Sequence, residues 1–86
     1  MNTNKSNTKK DIQMKKVQLT INNPLDFDMS HNTIAKLLKE LKSLNYYIMG
    51  DEIGGKDGTY HTHIYVVFSA PVRFSTLKKR FPSAHI

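Results

Sequence analysis

Apolar residues follow two different periods along the chain, and each period predicts a type of element. From Val17 to Asn22 apolar and polar residues alternate, which is typical of a strand with one buried face. After Ser30 the apolar residues recur every three or four positions, which predicts an amphipathic helix of about 14 residues with Ser30 as its N-cap and Asn45 as its end. The apolar positions of this helix are Ile34, Leu37, Leu38, Leu41 and Leu44.

The next segment of the chain predicts an antiparallel hairpin. Residues 46–53 are rich in aromatic and β-branched side chains, which favour strands. Residues 59–68 have the same character, and the glycine-rich segment 54–58 between them predicts a tight turn. Ala70 and Pro71 are expected to end this third strand, because proline donates no hydrogen bond to a neighbouring strand.

The last residues predict a second helix and part of a further strand. Phe74, Leu77 and Phe81 share one face of a short basic helix, and residues 84–86 are expected to begin a fourth strand. The element order is then β-α-β-β-α-β with the last strand truncated. This order predicts an α+β domain of the ferredoxin-like or RRM-like arrangement, an antiparallel sheet with two helices on one face.

Composition narrows the class of protein that 86 residues can form. A chain this short forms one small domain, and we expect residues 17–86 to fold behind a disordered basic tail of residues 1–16. The sequence contains no cysteine, which excludes disulfides and thiolate metal sites. No apolar run is long enough to cross a bilayer, so we expect no membrane partner.

The net charge of +6 is concentrated at the two ends of the chain. Residues 1–16 carry +4, residues 71–86 carry +4, and residues 17–70 carry −2. This distribution suits a polyanion bound by the flanks and a cation bound in the middle. Charge of this size on a small domain also serves solubility alone.

The candidate chemistry lies in the predicted hairpin. His61 and His63 are two positions apart on one strand, so their imidazoles project from the same face, while Thr62 points to the other. Glu52 ends the partner strand, and a tight hairpin brings it alongside His61. Two imidazoles and one carboxylate suit Mn²⁺ or Mg²⁺ and also accept Zn²⁺, although a His-x-His pair on an exposed strand also occurs by chance.

Polar residues of the first strand are expected on the same face as the histidines. Gln18, Thr20 and Asn22 alternate with the apolar positions of that strand. Side chains of this kind hydrogen-bond to bases or phosphates, or simply face solvent.

Three segments in a fixed order carry a resemblance to a known family. These are LTINNP at residues 19–24, GDE at 50–52 followed by GTYHTH at 58–63, and the basic helix and strand of residues 73–86. Together they resemble the rolling-circle replication initiator (Rep) endonucleases of the HUH class, which occur in small circular single-stranded DNA viruses and related bacterial plasmids. The resemblance covers residues 17–86.

The resemblance implies a metal-dependent, site-specific DNA endonuclease that nicks a replication origin. It implies Glu52, His61 and His63 as metal ligands, Mn²⁺ or Mg²⁺ as cofactor, and single-stranded or hairpin origin DNA as partner. The Lys-, Asn- and Ile-rich composition favours a plasmid source, which implies the bacterial cytoplasm, whereas a eukaryotic virus implies the host nucleus; oligomerisation of the full-length protein stays open. The implied DNA-binding residues are Gln18, Thr20, Asn22, Asn23, Arg73, Lys78, Lys79 and Arg80.

Two departures from the family pattern affect the expected activity. Thr62 stands where a hydrophobic residue is usual, but it is expected to point away from the metal. The Tyr-x-x-Lys motif of the family, which supplies the attacking tyrosine, is absent from these 86 residues. We therefore expect the nucleophile after Ile86 and expect this chain to be inactive alone. Tyr60 is predicted on the face opposite the histidines, and Tyr65 on the same face but further along the strand.

Two other functions share part of this pattern. A non-catalytic RRM-like module binds single-stranded nucleic acid on the same open sheet face, but it needs stacking aromatics, for which Tyr65 is the lone candidate. A two-histidine phosphodiesterase needs two His-x-Thr fragments, and residues 61–63 provide one. His31 is expected to be solvated, and His85 is left without a role.

Overall fold

The computed structural model describes residues 11–54 and 58–86 and confirms the predicted α+β class. Three antiparallel strands lie in the order β1-β3-β2. No helix within the described ranges is long and apolar enough to cross a membrane. The elements are β1 (Gln13–Asn22), a 3₁₀ turn (Pro24–Phe27), α1 (His31–Lys39), β2 (Leu44–Gly54), β3 (Thr59–Arg73) and α2 (Phe74–Arg80).

The two helices cover one face of the sheet, because the core is built from alternate residues of the strands. The core residues of both helices belong to the same buried cluster as those of β1 and β3, so both helices pack on one side. We call this side the covered face. The buried cluster consists of Val17, Leu19, Ile21, Ile34, Leu38, Leu41, Ile64, Val66, Phe68, Leu77, Phe81 and Ala84.

The opposite side of the sheet, which we call the open face, carries the other alternate residues of the three strands. The strand register arranges them in four rows across β1, β3 and β2. The rows are Lys16–Val67–Tyr46, Gln18–Tyr65–Ile48, Thr20–His63–Gly50 and Asn22–His61–Glu52.

The predicted fourth strand is present as a single antiparallel bridge. His85 pairs with Thr20 on the edge of β1 that β3 leaves free. The Thr20 amide donates to the His85 carbonyl at 2.9 Å, and the His85 amide donates to the Thr20 carbonyl at 2.8 Å. Thr20 is therefore held by neighbouring backbone on both sides.

Helix α1 is shorter than predicted. It ends at Lys39, whereas the apolar period continues to Leu44. Leu41 is buried although it lies outside the helix, and Leu44 already belongs to β2, opposite Phe68. The prediction was wrong because these two leucines contact the core from a turn and a strand, which the period alone does not distinguish from a helix.

Strands β1 and β3 are both longer than predicted. β1 begins at Gln13, so residues 13–16 of the expected tail belong to the sheet, and residues 1–10 of the tail lie outside the described residues. β3 continues past Pro71 to Arg73. The pairing of β3 with β1 is interrupted at the proline: the register shifts between Met14, opposite Val72, and Lys16, opposite Val67, so residues 68–71 have no partner in β1. Most of the predicted turn, residues 55–57, also lies outside the described residues.

Candidate metal centre

The three predicted ligands lie on the open face at the end of the hairpin. Glu52 is directly opposite His61, as the hairpin pattern predicted, and His63 is two residues further along β3. Thr62 between the histidines is fully buried on the covered face. The Glu52 side chain is 60% exposed and that of His63 is 37% exposed, so a ligand from solvent reaches both.

The contacts within the group are uneven. The Nε2 atom of His63 lies 2.7 Å from Oε1 of Glu52. The His61 ring instead hydrogen-bonds through Nδ1 to the Asn22 side chain. Within residues 11–54 and 58–86, no three His, Cys, Asp or Glu side chains are close enough to hold a metal ion. The structure thus brings Glu52 and His63 together and leaves His61 beside them.

The three side chains nevertheless supply the donor types that suit a divalent cation. Neutral imidazole and carboxylate are ligands that Mn²⁺ and Zn²⁺ accept, and all three groups share one exposed face. A coordinating ring has its centre roughly 3.3 Å from the ion, from a bond of about 2.1 Å plus about 1.2 Å within the ring. Two such rings are at most about 6.6 Å apart, when they lie on opposite sides of the ion, and roughly 5 Å apart at tetrahedral or octahedral ligand angles. The His61 and His63 centroids are 6.0 Å apart, so the two rings must approach each other to share an ion at such angles.

Two polar residues of β1, predicted to bind DNA, contact the imidazoles. The Thr20 hydroxyl lies 3.2 Å from Nδ1 of His63. Asn22 Oδ1 accepts from Nδ1 of His61. Gln18 is exposed on the open face, one row away, opposite Tyr65. Asn23 follows the strand with a left-handed backbone, φ 48°, and its amide donates to the Tyr60 carbonyl.

The basic residues predicted to bind DNA are not brought to the metal centre. Arg73 lies at the far end of β3, where its guanidinium is 3.6 Å from the Asp11 carboxylate. Lys78 donates to the carbonyls of Pro82 and Ala84, and Arg80 pairs with Glu40. Lys79 is exposed in the last turn of α2. Lys78 and Arg80 therefore make structural contacts around a helix that packs on the covered face.

Sequence reasoning missed a polar cluster behind the hairpin. Asp51 Oδ1 accepts from the Thr62 hydroxyl at 2.9 Å and lies 2.8 Å from Nε2 of His31. Hydrogen bonds from His31, Tyr60 and Thr62 lower the pKa of Asp51 from 3.8 to about 2. These residues border a cavity of about 210 Å³. The His31 side chain is 48% exposed, as the sequence predicted, and its pairing with Asp51 is an additional contact that the sequence did not indicate.

The tyrosines divide between the two faces. The Tyr60 hydroxyl hydrogen-bonds to Asp51, which raises its pKa and confirms that it points away from the histidines. Tyr65 is on the open face, as predicted, and is 39% exposed. Beside it lie Ile48, 62% exposed, and Tyr46, 49% exposed. These open-face residues of β2 were missed, although the same period-two alternation that placed the histidines would have found them.

Comparisons with protein-family models, with curated proteins and with solved structures found no match to this chain. The function of the site is therefore inferred from its own geometry.

Proposed function

We propose that this chain forms the metal-binding and DNA-binding part of a nicking endonuclease of the HUH class that initiates rolling-circle replication. One observation carries the proposal: Glu52, His61 and His63 share the exposed face of an antiparallel sheet, with Glu52 in contact with His63. A carboxylate beside two imidazoles on a solvent-facing strand has no role in the core, which lies on the other side.

The three side chains would hold Mn²⁺ or Mg²⁺. When bound, such a cation polarises the scissile phosphate and stabilises the negative charge that develops on it. Glu52 supplies a carboxylate that offsets part of the charge of the cation, and His63 supplies Nε2. Residue 50 is glycine and has no side chain. A Cβ atom added at this position would have no neighbouring atom within 4 Å. Gly50 thus leaves open space beside His63, where a phosphate can approach.

The rest of the open face suits single-stranded DNA. Tyr65 and Ile48 form an exposed apolar pair in the row next to that of His63, and the exposed Tyr46 lies in the following row. Bases stack on exposed aromatic rings without regard to sequence, and the positive charge of Lys16 on the same face attracts phosphates. A single strand of DNA lying across these rows would place its bases on Tyr65 and a phosphate near Glu52.

We expect no covalent attack on DNA by the tyrosines of this chain. The Tyr60 hydroxyl is hydrogen-bonded to Asp51 on the covered face, away from the candidate metal centre. Tyr65 lies in the next row beyond His63. Incubation of a labelled origin oligonucleotide with Mn²⁺ and the chain should give no protein–DNA adduct on a denaturing gel. An adduct would contradict this expectation, and Tyr65→Phe would be the first variant to identify the nucleophile.

The proposed function is tested by the Mn²⁺ dependence of DNA binding. Fluorescence anisotropy of a labelled single-stranded oligonucleotide, at fixed ionic strength, should show tighter binding when Mn²⁺ is added. The double variant Glu52→Gln, His63→Gln should lose this response. Glu40→Gln removes the same charge at the end of α1, remote from the open face, and should keep it. An unchanged affinity of the wild-type chain with Mn²⁺ would refute metal-dependent function.

The exposed side chains of Tyr65, Ile48 and Tyr46 on the open face favour a second candidate, a non-catalytic module that binds single-stranded nucleic acid. Such a module uses the same face through stacking alone. It predicts binding that is lost in Tyr65→Ala and is indifferent to Mn²⁺. The anisotropy experiment above therefore separates the two candidates.

A further inference from the structure

Each imidazole of the candidate metal centre has a polar side chain of β1 directly beside it. Asn22 is opposite His61 in the strand register, and Thr20 is opposite His63. In both pairs the contact is made to Nδ1, the ring nitrogen closer to the backbone. Among the described residues, the Nε2 atom of His61 is thus left for other partners, whereas that of His63 donates to the Glu52 carboxylate in the metal-free chain.

The chemistry of the Asn22 contact determines where the proton of His61 lies. A side-chain amide oxygen accepts hydrogen bonds and carries no hydrogen. Because Asn22 Oδ1 faces Nδ1 of His61, that nitrogen must donate. The neutral ring then has its lone pair on Nε2, the atom that a cation needs. The Thr20 hydroxyl both donates and accepts, so it fixes the orientation of the His63 ring without choosing its tautomer.

Both β1 residues are attached to rigid backbone. Thr20 is held by β3 on one side and by the two hydrogen bonds to His85 on the other. Asn22 ends β1, and the next amide, of Asn23, donates to the Tyr60 carbonyl at 2.7 Å. Neither side chain is fully exposed. Groups held in this way restrict ring rotation, which groups on a flexible loop do not achieve.

We propose that Asn22 and Thr20 are positioning residues of the metal centre: they hold the two imidazoles with Nε2 directed to a shared divalent cation. This inference rests on the proposed function, because it assigns the two residues to metal binding and not to reading DNA. Asn22 has the stronger role, since it also selects the tautomer of His61.

The test combines the tautomer of His61 in the metal-free chain with Mn²⁺ affinity. Long-range ¹H–¹⁵N NMR should show the Nδ1–H tautomer of neutral His61 in the wild-type chain and its loss in Asn22→Ala. Calorimetry should show a Mn²⁺ affinity reduced roughly 10- to 100-fold in Asn22→Ala, the usual effect of removing a group that orients a ligand. Asn22→Asp keeps an acceptor at Nδ1 of His61, so it should retain the tautomer, and its added negative charge should not lower the affinity.

Gln18→Ala is the matched control, because Gln18 lies on the same strand and face, two residues from Thr20 and opposite Tyr65. It should leave Mn²⁺ affinity unchanged. If Asn22→Ala does not fold, Thr20→Val should lower the affinity and Thr20→Ser should restore it. The inference is overturned if Asn22→Ala keeps the wild-type tautomer of His61 or the wild-type Mn²⁺ affinity. If Asn22→Ala does not fold, wild-type Mn²⁺ affinity in Thr20→Val overturns it.

Failure of the proposed function gives a different result. A wild-type chain that binds no Mn²⁺ removes the metal centre and with it the role of both residues, whatever the tautomer. A chain that binds Mn²⁺ equally well with and without Asn22, but binds oligonucleotides more weakly without it, assigns Asn22 to DNA and overturns the positioning role alone.

Discussion

The two faces of the β2–β3 hairpin carry neighbouring residues with opposite roles. Asp51 and Thr62 are paired on one side, and Glu52 and His61 are paired on the other. Asp51 accepts bonds from a strand, a tyrosine and helix α1, and these bonds hold its carboxylate in place. Glu52 has one such contact and is mostly exposed. The Asp51 carboxylate connects α1 to the hairpin, whereas the Glu52 carboxylate stays available to a ligand.

Fully buried residues lie on the covered face behind the histidines. The side chains that fix the strand register face inward, where Thr62 is fully buried and hydrogen-bonded. Because a shift of one residue would move every side chain to the other face, this contact also keeps the histidines outward. The two faces should therefore respond differently to substitution.

The largest contrast is expected between Ile64 and Tyr65, adjacent residues on opposite faces. Ile64 is fully buried, so Ile64→Ala should lower the free energy of unfolding by about 2–5 kcal/mol. Urea denaturation followed by circular dichroism measures this loss. If Ile64→Ala leaves the midpoint unchanged, the assignment of the covered face is wrong.

Tyr65→Ala should change DNA binding more than stability. A stacking ring contributes about 1–3 kcal/mol per base, so oligonucleotide affinity should fall by roughly 5- to 150-fold. The free energy of unfolding should change far less than in Ile64→Ala, because the ring is 39% exposed and outside the buried cluster. Tyr47→Phe is a control that alters a tyrosine outside the open-face rows. Undiminished DNA binding in Tyr65→Ala would show that bases do not stack on Tyr65.

A smaller effect is expected from Thr62→Val, which keeps the shape of the side chain and removes its hydroxyl. The loss of the bond to Asp51 should lower the free energy of unfolding by about 1 kcal/mol. Thr62→Ser keeps the hydroxyl and loses only the methyl group, so it should retain the bond to Asp51. A valine variant as stable as the wild type would indicate that the hydroxyl does not hold the register.

The smallest effect concerns acid stability and is confined to a narrow pH range. The pKa of Asp51 is lowered from 3.8 to about 2 in the folded chain, so its ionised form stabilises the fold above pH 4. This contribution is lost as the pH falls from about 4 to about 2. Denaturation of wild-type and Asp51→Asn chains across this range should show their difference in stability shrinking toward acid. A difference that stays constant would contradict the lowered pKa.

Local periodicity was sufficient to predict the faces of the strands. Alternation in residues 17–22 and 61–68 placed Leu19 and Ile64 inside and His61 and His63 outside, as the structure has them. The facing of Glu52 and His61 followed from the hairpin alone. These relations depend on residues within about ten positions of one another, where backbone geometry decides the outcome.

Contacts between distant elements were not predictable in this way. His31 meets Asp51 only because α1 packs over the hairpin, and nothing in the local sequence around His31 indicates that partner. The end of α1 was missed for the same reason, since Leu41 and Leu44 satisfy the helical period while serving the core from a turn and a strand. Tertiary packing decides both features, and the local sequence pattern does not indicate which distant elements will pack together.

The central claim is that a divalent cation binds on the open face between Glu52 and the two imidazoles. The most direct measurement is titration of ¹⁵N-labelled chain with Mn²⁺, which broadens the NMR signals of nuclei near the ion. We predict saturable broadening that begins at Glu52, His61 and His63 and is lost in Glu52→Gln. Broadening centred on His31 and Asp51, or none that saturates, would contradict the claim.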